Sequence, residues 1–392
     1  PRTRMEAETS TVESRKRKAA SPSRQPPDGS NGDCPVEEES ATCWEPSPDD
    51  VQLVLAASKG DVKTVRRLLA ETGADPCYQD HRTGMSVLMA AAASGSADTV
   101  RCLLDNGAPW NAVDRQYHCA GEYATCNGHQ AVVDLLLNHA AASELLLGAL
   151  LSGERALGVT ELQREYMRQR LTYCGGGDLL LDGEGYAVMM AWEQPLMERH
   201  ASYICPRPGL RVLNVGFGMG IVDTELQKLG PASHTIVEAH PDVLARMRHQ
   251  GWPDKPGVRI VSGRWQDVVA DLGPFDGVFF DTYAEDDLDL HSFHAHLPRL
   301  LALGGRYAFY NGMCPDNVFF HAVACEVVRL RLLRLGLRCT FRPLPVKVDD
   351  AKLWQGVRDR YWHFDTYYLP EVCRPEEEDS HSAAAPMDAS SE

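Results

Sequence analysis

The sequence predicts two folded parts, an all-α domain built from repeats and, after it, an α/β domain with a doubly wound sheet. The first prediction rests on a motif that recurs three times before residue 140. The second rests on strand-like and helix-like segments that alternate from Leu210 onward. Hydrophobic residues make up 44% of the chain, which is enough for sizeable cores.

The repeats lie between residues 50 and 140. Their shared glycines are Gly60, Gly95 and Gly128, which are 35 and then 33 residues apart, and an apolar stretch follows each of them. A helical unit of this length cannot bury its apolar face alone, so neighbouring units must stack. The segment resembles ankyrin repeats, although Met85-Ser-Val-Leu88 stands where Thr-Pro-Leu-His is usual. Because the array is short, we expect the next domain to cover its end.

The α/β domain is predicted from five strand-like segments, Arg211–Val215, Thr235–Val237, Val258–Val261, Gly277–Phe280 and Arg306–Tyr310. Residues 1–46 and the tail from 375 lack hydrophobic periodicity, so we predict that both are disordered. The complete division is disordered 1–46, ankyrin-like repeats 47–142, a helical linker and hairpin 143–185, the α/β domain 186–374 and a disordered acidic tail 375–392. Asp182-Gly183 marks the turn of the hairpin.

Charge and cysteine content limit the partners and the compartment. The net charge of −16 argues against direct binding of nucleic acid and favours basic partners. Twelve cysteines without a C-x-x-C pair, no visible secretory signal and no apolar run that we judge long enough for a bilayer predict a cytoplasmic and nuclear protein without a membrane partner. The basic run 15–18 is either a nuclear signal or a solvated charge cluster. The oligomeric state is not predictable.

A glycine-rich loop, Asn214–Gly220, connects the first predicted strand to a predicted helix. Its pattern Gly216-x-Gly218-x-Gly220 allows a tight turn and close approach to a ligand without a Cβ clash. Alone, it also fits a dinucleotide or a turn without a ligand. Glu238 ends the next predicted strand, 22 residues after Gly216, where a carboxylate can accept both ribose hydroxyls.

Four more side chains complete the predicted site. Trp265 and Gln266 follow the third predicted strand and suit an adenine by stacking and edge hydrogen bonding, although Trp265 could instead cap the core. Asp281 ends the fourth predicted strand, where doubly wound folds place ligands, and Glu193 precedes the sheet. We expect these two acids on either side of a substrate. The alternatives are a surface position for Glu193 and a helix cap for Asp281.

Several motifs resemble known enzymes. Four of them resemble guanidinoacetate N-methyltransferase, namely Trp192-Glu193…Met197, Val215-Gly-Phe-Gly-Met219, Gly263-x-Trp265 and Asp281-Thr-Tyr283. Three more resemble the type IV protein arginine N-methyltransferases, namely Glu238-Ala-His-Pro-Asp242, Asn311-Gly312 and Arg360-Tyr-Trp362…Tyr368-Leu-Pro370. That family joins ankyrin-like repeats to a guanidinoacetate-methyltransferase-like domain, and the resemblance covers residues 50–372. The double-glutamate loop and Thr-His-Trp run of ω-methylating enzymes are absent from the sequence.

The resemblance implies a class I Rossmann-like methyltransferase that uses S-adenosylmethionine to methylate the δ nitrogen of arginine in a protein substrate. Glu193 and Asp281 are then the catalytic residues. The expected cofactor residues are Tyr186, Met190, Met197, Gly216, Phe217, Gly218, Met219, Gly220, Ile221, Glu238, Ala239, His240, Trp265, Gln266 and Asp281. Plain core packing is an equally good interpretation of Met189, Met190 and Met197.

The chemistry agrees with this assignment. A guanidinium is protonated at neutral pH and its nitrogens are poor nucleophiles. Two carboxylates that pair with its outer N–H groups would leave electron density on the inner nitrogen. The alternatives are a small-molecule guanidino methyltransferase and an inactive binding module. The acidic run from Glu285 to Asp289 fits a basic protein or an ordinary solvated loop, and we expect no metal at His291, His294 and His296.

Overall fold

The structure, a computed structural model, describes residues 15–16, 47–151 and 160–376. The chain divides into two compact units. One contains the described residues 47–151 together with Asn317–Val327, and the other contains 15–16, 160–316 and 328–376. The predictions for residues 1–46 and for the acidic tail fall almost wholly outside the described residues. Arg15–Lys16, which the structure describes, forms a two-residue strand that pairs antiparallel with Glu285–Asp286.

The repeat unit consists of three helix pairs, which are α1 (Pro48–Ser58) and α2 (Val62–Glu71), α3 (Val87–Ser94) and α4 (Ala97–Asp105), and α5 (Ala120–Cys126) and α6 (Gln130–Leu151). Helices α1, α3 and α5 pack in one row, and α2, α4 and α6 pack in a second row. Each shared glycine lies between the two helices of a pair with a positive φ. Ser86, Ser96 and Asp61 cap helices with their side chains, which satisfies N–H groups that the helix leaves open.

A segment that follows the predicted repeats in the sequence packs against the third repeat. Phe319 is buried against Gly121 of α5, where an added Cβ would lie 2.1 Å from the Phe319 ring. Asn317 donates from Nδ2 to Glu122 Oε2 at 2.7 Å, and the Phe320 ring meets Trp110 edge-on. The covering of the array that we expected is therefore supplied, within this unit, by residues 317–327.

Helix α6 corrects one prediction. It continues past the predicted boundary at 142, and its residues Gln130–Leu150 are long and apolar enough, by length and composition, to cross a membrane. The expectation that no segment has this property was wrong, because it considered unbroken apolar runs and not an average hydropathy. Such a helix is weak evidence for a membrane span, since core helices pass the same test. Leu136 is buried, whereas Leu146 and Leu150 are exposed.

The second unit is built on a seven-stranded sheet. Its strands are β4 (Arg211–Val215), β5 (Ser233–Glu238), β6 (Val258–Ser262), β7 (Phe275–Phe280), β8 (Leu301–Phe309), β9 (Arg338–Pro345) and β10 (Thr366–Cys373). The order is β9-β10-β8-β7-β4-β5-β6, and the strands from β8 to β6 are parallel. The chain order reverses between β4 and β7, so the ligand site of a doubly wound sheet is expected there.

All five predicted strands are present, and the doubly wound α/β class is confirmed. The two antiparallel strands β9 and β10 were not predicted. Strand β9 lies at the sheet edge and contains Pro343 and Pro345, which weaken a strand pattern because proline cannot donate to the ladder.

A smaller antiparallel sheet precedes the large one, with strands β1 (Thr172–Cys174), β2 (Leu179–Leu181) and β3 (Ala187–Met190). The predicted hairpin is therefore present, with a longer turn than Asp182-Gly183 alone. The helices of this unit are α7 (Glu161–Arg168), α8 (Gln194–Ile204), α9 (Ile221–Lys228), α10 (Pro241–His249), α11 (Trp265–Val268), α12 (Asp287–His294), α13 (Leu297–Leu300) and α14 (Val318–Arg334), of which α14 begins in the repeat unit. Short 3-10 turns occupy Gly175–Gly177, Ala191–Glu193, Trp252–Asp254, Val269–Asp271 and Ala351–Trp354.

Candidate active site

A cavity lies at the carboxyl ends of the parallel strands. Eight of the expected cofactor residues line it, namely Gly216, Gly218, Glu238, Ala239, His240, Trp265, Gln266 and Asp281. Seven do not, namely Tyr186, Met190, Met197, Phe217, Met219, Gly220 and Ile221. Met189, Met190 and Met197, for which core packing and cofactor contact are equally good interpretations of the sequence, are all buried in the hydrophobic core, and of these three Met189 also lines the cavity.

The glycine loop packs directly against the end of β7. Gly216 has φ +94°, and a Cβ there would lie 1.9 Å from the carbonyl oxygen of Asp281. Its N–H donates to Val237 O, and the Asp281 N–H donates to Val215 O, both at 2.9 Å. Glycine is therefore required at 216 because three strand ends converge on its backbone.

A network of buried, hydrogen-bonded polar side chains holds this loop in place. Asn214 donates from Nδ2 to Gly216 O and to the Asp223 carboxylate, each at 2.9 Å. The ring of His234 lies 3.0 Å, Nε2 to Oδ1, from the same carboxylate, and both side chains are fully buried. The network was not predicted, because its members come from three different elements.

Glu238 is fixed by backbone groups at the end of β5. Its Oε1 accepts from the N–H groups of Ala239 and His240 at 2.8 and 2.7 Å, and its Oε2 accepts from the Phe217 N–H at 2.9 Å. Burial raises the pKa of Glu238, and the backbone hydrogen bonds oppose this increase. The carboxylate faces the cavity, where its oxygens can accept from sugar hydroxyls.

Helix α7 forms a wall of the cavity that sequence reasoning missed. Gln163, Tyr166 and Met167 of this helix line the space. The Tyr166 ring packs 4.9 Å, centroid to centroid, from the rings of both His240 and Tyr283. Because the helix was predicted only as a linker, its amphipathic pattern gave no sign of a ligand.

Trp265 and Gln266 lie side by side at the start of α11. The Trp265 ring meets Phe280 and Phe293 edge-on, so this residue both packs in the core and lines the cavity. Its indole N–H donates to Glu285, at 2.9 Å to Oε1 and 3.0 Å to Oε2. Burial and the nearby charge of Asp289 raise the pKa of Glu285 to about 7.

Glu193 is fully buried at the end of the 3-10 turn before α8. Its Oε1 accepts from the Met190 N–H at 3.2 Å and from the hydroxyl of Tyr361. The Tyr361 hydroxyl in turn accepts from Trp192 Nε1 at 2.8 Å. Tyr361 lines the cavity and Glu193 does not, so the tyrosine is the contact between this acid and the cavity wall.

Tyr310 lies close enough to both predicted acids for their charges to affect its pKa. Burial raises the pKa of Tyr310 well above its usual value, and the charges of Glu193, Tyr367 and Asp281 raise it further. Tyr310 and Asp281 both line the cavity. Asp281 and Tyr361, which is hydrogen-bonded to Glu193, are called here the acid end of the cavity, and Glu238 and Gln266, predicted as cofactor contacts, are called the cofactor end.

The three histidines near α12 take other positions. His294 is buried with Nε2 3.0 Å from the hydroxyl of Tyr307. His291 is partly buried, and desolvation lowers its pKa to about 3. Within residues 47–151 and 160–376 no group of three or more His, Cys, Asp or Glu side chains is arranged to hold a metal.

Comparison with known proteins agrees with this architecture. Residues 164–318 match the family model described as guanidinoacetate N-methyltransferase, and residues 53–145 match the model for ankyrin repeats in three copies. Fold and site therefore define a methyltransferase with an ankyrin-repeat domain.

Curated relatives give the particular family. The chain is 33% identical over 403 residues to protein arginine N-methyltransferase 2 of Aspergillus oryzae, covering 83% of this chain and 96% of the relative. It is 34% identical over 352 residues to the protein of that name from Cryptococcus neoformans (81% and 93% covered), and 40% identical over 224 residues to that from Yarrowia lipolytica (54% and 47% covered). The chain belongs to the protein arginine N-methyltransferase 2 family.

Proposed function

We propose that the chain transfers a methyl group from S-adenosylmethionine to the δ nitrogen of arginine residues in a protein substrate. The observation that carries this proposal is that Asp281 and Tyr361, whose hydroxyl donates to the buried carboxylate of Glu193, line the same cavity as Glu238 and Trp265. A carboxylate in the cavity wall, with a second carboxylate directly behind Tyr361, suits a guanidinium, which is positively charged and offers N–H groups in a forked, planar arrangement.

The other end of the cavity fits the adenosine part of the cofactor. Glu238 supplies acceptors for ribose hydroxyls, and Trp265 and Gln266 supply an aromatic face and an amide for the base. Gly216 and Gly218 allow the ligand to approach the backbone. When bound there, S-adenosylmethionine supplies an electrophilic methyl group on a sulfonium sulfur.

The acidic residues of the site act on the charge of the guanidinium. Asp281 in the cavity wall can accept from an outer N–H group, and Glu193 adds negative charge from behind Tyr361, so that positive charge is drawn to the outer nitrogens and a lone pair is left on the inner nitrogen. The N–CH3 bond forms as the S–CH3 bond breaks, and the methylated nitrogen then loses one proton to a carboxylate, Asp281 or Glu193. Much of the rate gain should come from orientation and from charges that are in place before the reaction.

The choice of a protein substrate rests on two supports. The relatives that match along most of their length are named protein arginine N-methyltransferases. The chain also carries ankyrin repeats, whose stacked units offer an extended surface for a macromolecule. The competing substrate is guanidinoacetate, because the matching family model carries that name.

The discriminating experiment uses the full chain and methyl-labelled S-adenosylmethionine, with either protein extract or guanidinoacetate as acceptor. We expect label in protein and none in guanidinoacetate. Label only in guanidinoacetate would make the chain a small-molecule methyltransferase. No label in either and no heat of cofactor binding would leave an inactive binding module.

We also propose that the protein is cytoplasmic and nuclear, from its composition and its basic run at 15–18. A fluorescent fusion should be seen in both compartments, and replacement of the four basic residues by alanine should deplete the nuclear pool. Exclusion of the unchanged fusion from the nucleus would contradict this.

A further inference from the structure

The amide of Gln266 is fixed in one orientation. Its Nε2 donates to Glu285 Oε1 at 2.9 Å, and its side chain also hydrogen-bonds the carboxylate of Asp289. Amide nitrogen and oxygen are assigned from their partners. Above about pH 7, where Glu285 is ionised, the partner decides the assignment, because a flipped amide would set its oxygen against a carboxylate oxygen. The amide oxygen of Gln266 is buried and accepts no hydrogen bond from the described residues.

The buried amide oxygen of Gln266 points to a ligand, and it does so independently of the Glu285 carboxylate. Burying a carbonyl without a donor is unfavourable, because the group loses its hydrogen bonds to water, so such a group in a cavity wall calls for an explanation. Gln266 lines the same cavity as Glu238 and Trp265. A ligand that brings an N–H to this point would satisfy it.

Glu285 is itself held rigidly. Its carboxylate accepts from the indole N–H of Trp265 and from the hydroxyl of Thr282 in addition to Gln266. Only 8% of the residue is exposed. Because these partners follow two different strands, β6 and β7, the carboxylate cannot rotate to accommodate a flipped amide without breaking the other bonds.

We propose that Glu285 is a positioning residue that sets the purine specificity of the site. It turns the oxygen of Gln266 toward the cavity, where the oxygen accepts from the exocyclic amine of adenine and disfavours a purine with a carbonyl at that position. This inference rests on the proposed function, specifically on an adenosyl cofactor. It adds the means by which the base is selected.

The test compares two ligands by calorimetry on the full chain, S-adenosylhomocysteine and S-inosylhomocysteine, which carries a carbonyl in place of the amine. We expect the unchanged protein to bind the adenosyl ligand at least about tenfold more tightly, as one good hydrogen bond implies. In Glu285→Gln combined with Asp289→Asn, both carboxamide partners can donate as well as accept, so Gln266 can take either orientation. The affinity ratio should then fall to within about threefold of unity.

Asp267→Asn is the matched control, because it neutralises an exposed acid next to Gln266 in the chain. Its ratio should equal that of the unchanged protein. A merely structural role of Glu285 would weaken both ligands together and leave the ratio unchanged, which would overturn the inference. If the double variant does not fold, Glu285→Asp combined with Asp289→Asn serves instead, since the shorter side chain at 285 retracts from Gln266, and the same fall in the ratio is expected.

The two proposals fail differently. If the unchanged protein binds neither ligand, the cofactor assignment itself is wrong. If it prefers the adenosyl ligand and the Glu285 variants retain that preference, the cofactor assignment stands and the role of Glu285 is refuted.

Discussion

The two ends of the cavity are built in different ways. At the cofactor end, Glu238 is held by three backbone N–H groups, and Gly216 touches the backbone of Asp281. At the acid end, Glu193 is held by one backbone N–H and by the hydroxyl of Tyr361, 168 positions away in the chain. The first end is fixed by the sheet itself. The second depends on a side chain that the C-terminal segment supplies, namely Tyr361.

Because of this difference, we expect cofactor affinity and the rate of methyl transfer to respond to different substitutions. Backbone groups at strand ends can only move with the sheet, so the cofactor end should tolerate changes elsewhere. Glu193 relies on Tyr361 and Trp192, so changes there should lower the rate of transfer and leave cofactor affinity unchanged. The following predictions test that separation, beginning with the largest expected effect.

Glu193→Gln should lower kcat for methyl transfer by about 10²–10³, the usual cost of removing one preorganised charge partner. The affinity for S-adenosylhomocysteine should change less than about threefold, because Glu193 does not line the cavity near Glu238. Single-turnover transfer and calorimetry measure the two quantities. Glu198→Gln, an exposed acid on α8, is the control. Loss of cofactor affinity in Glu193→Gln, with kcat unchanged, would contradict the proposed difference between the cofactor end and the acid end.

Glu238→Gln should weaken binding of S-adenosylhomocysteine by about 10–100-fold, since hydrogen bonds to a charged group contribute about 1.5–3 kcal/mol. At saturating cofactor, kcat should recover to within about threefold of the unchanged protein. Calorimetry and initial rates over a range of cofactor concentration measure this. Unchanged affinity would remove Glu238 from the cofactor site.

Tyr361→Phe keeps the ring and removes the hydroxyl that donates to Glu193. We expect kcat to fall about tenfold, the equivalent of one hydrogen bond, with cofactor affinity unchanged. Tyr203→Phe, a tyrosine outside the cavity lining, should leave kcat unchanged. Equal kcat in the two variants would show that Tyr361 does not orient Glu193.

The pH dependence of stability gives the smallest effect. Burial raises the pKa of Glu285 from 4.5 to about 7, so the folded state binds a proton more tightly than the unfolded state. The associated stability is fully present below pH 4.5 and is lost as the pH rises through about 7. Between pH 5 and 8, Tm of the unchanged protein should fall by at least about 2–4 °C relative to Glu285→Gln. If Tm of the unchanged protein and of Glu285→Gln changed equally with pH, Glu285 would not be buried as described.

The sequence predicted the cofactor end of the cavity better than the contacts that hold the acid end. The glycine loop, Glu238 and Gln266 follow strands in a short stretch of chain, so spacing alone was enough to place them together. Glu285 was interpreted only as part of an acidic run, because its burial depends on Trp265 and Thr282. The role of Tyr361 depends on a contact across 168 positions, which no local pattern records.

The repeat unit and the expected methionines show the same limit. The repeats were recognisable because each unit repeats its own local contacts, whereas the covering by Phe319 required the folded chain. Met190 and Met197 have the residue type of a cofactor contact but are core residues, and their neighbour Met189 lines the cavity. Neighbouring positions on a strand point to opposite faces, and an apolar run does not tell which face meets the ligand.

The most direct test of the proposed function is the position of the methyl group on arginine. A protein acceptor methylated by the full chain with S-adenosylmethionine is hydrolysed in acid, and the methylarginines are separated and fragmented in a mass spectrometer. The proposed pull of the Asp281 and Glu193 charges on the outer nitrogens predicts δ-N-methylarginine, formed by the unchanged protein and formed about 10²–10³-fold more slowly by Glu193→Gln. Methylarginine carrying its methyl group only on an ω nitrogen would contradict the account.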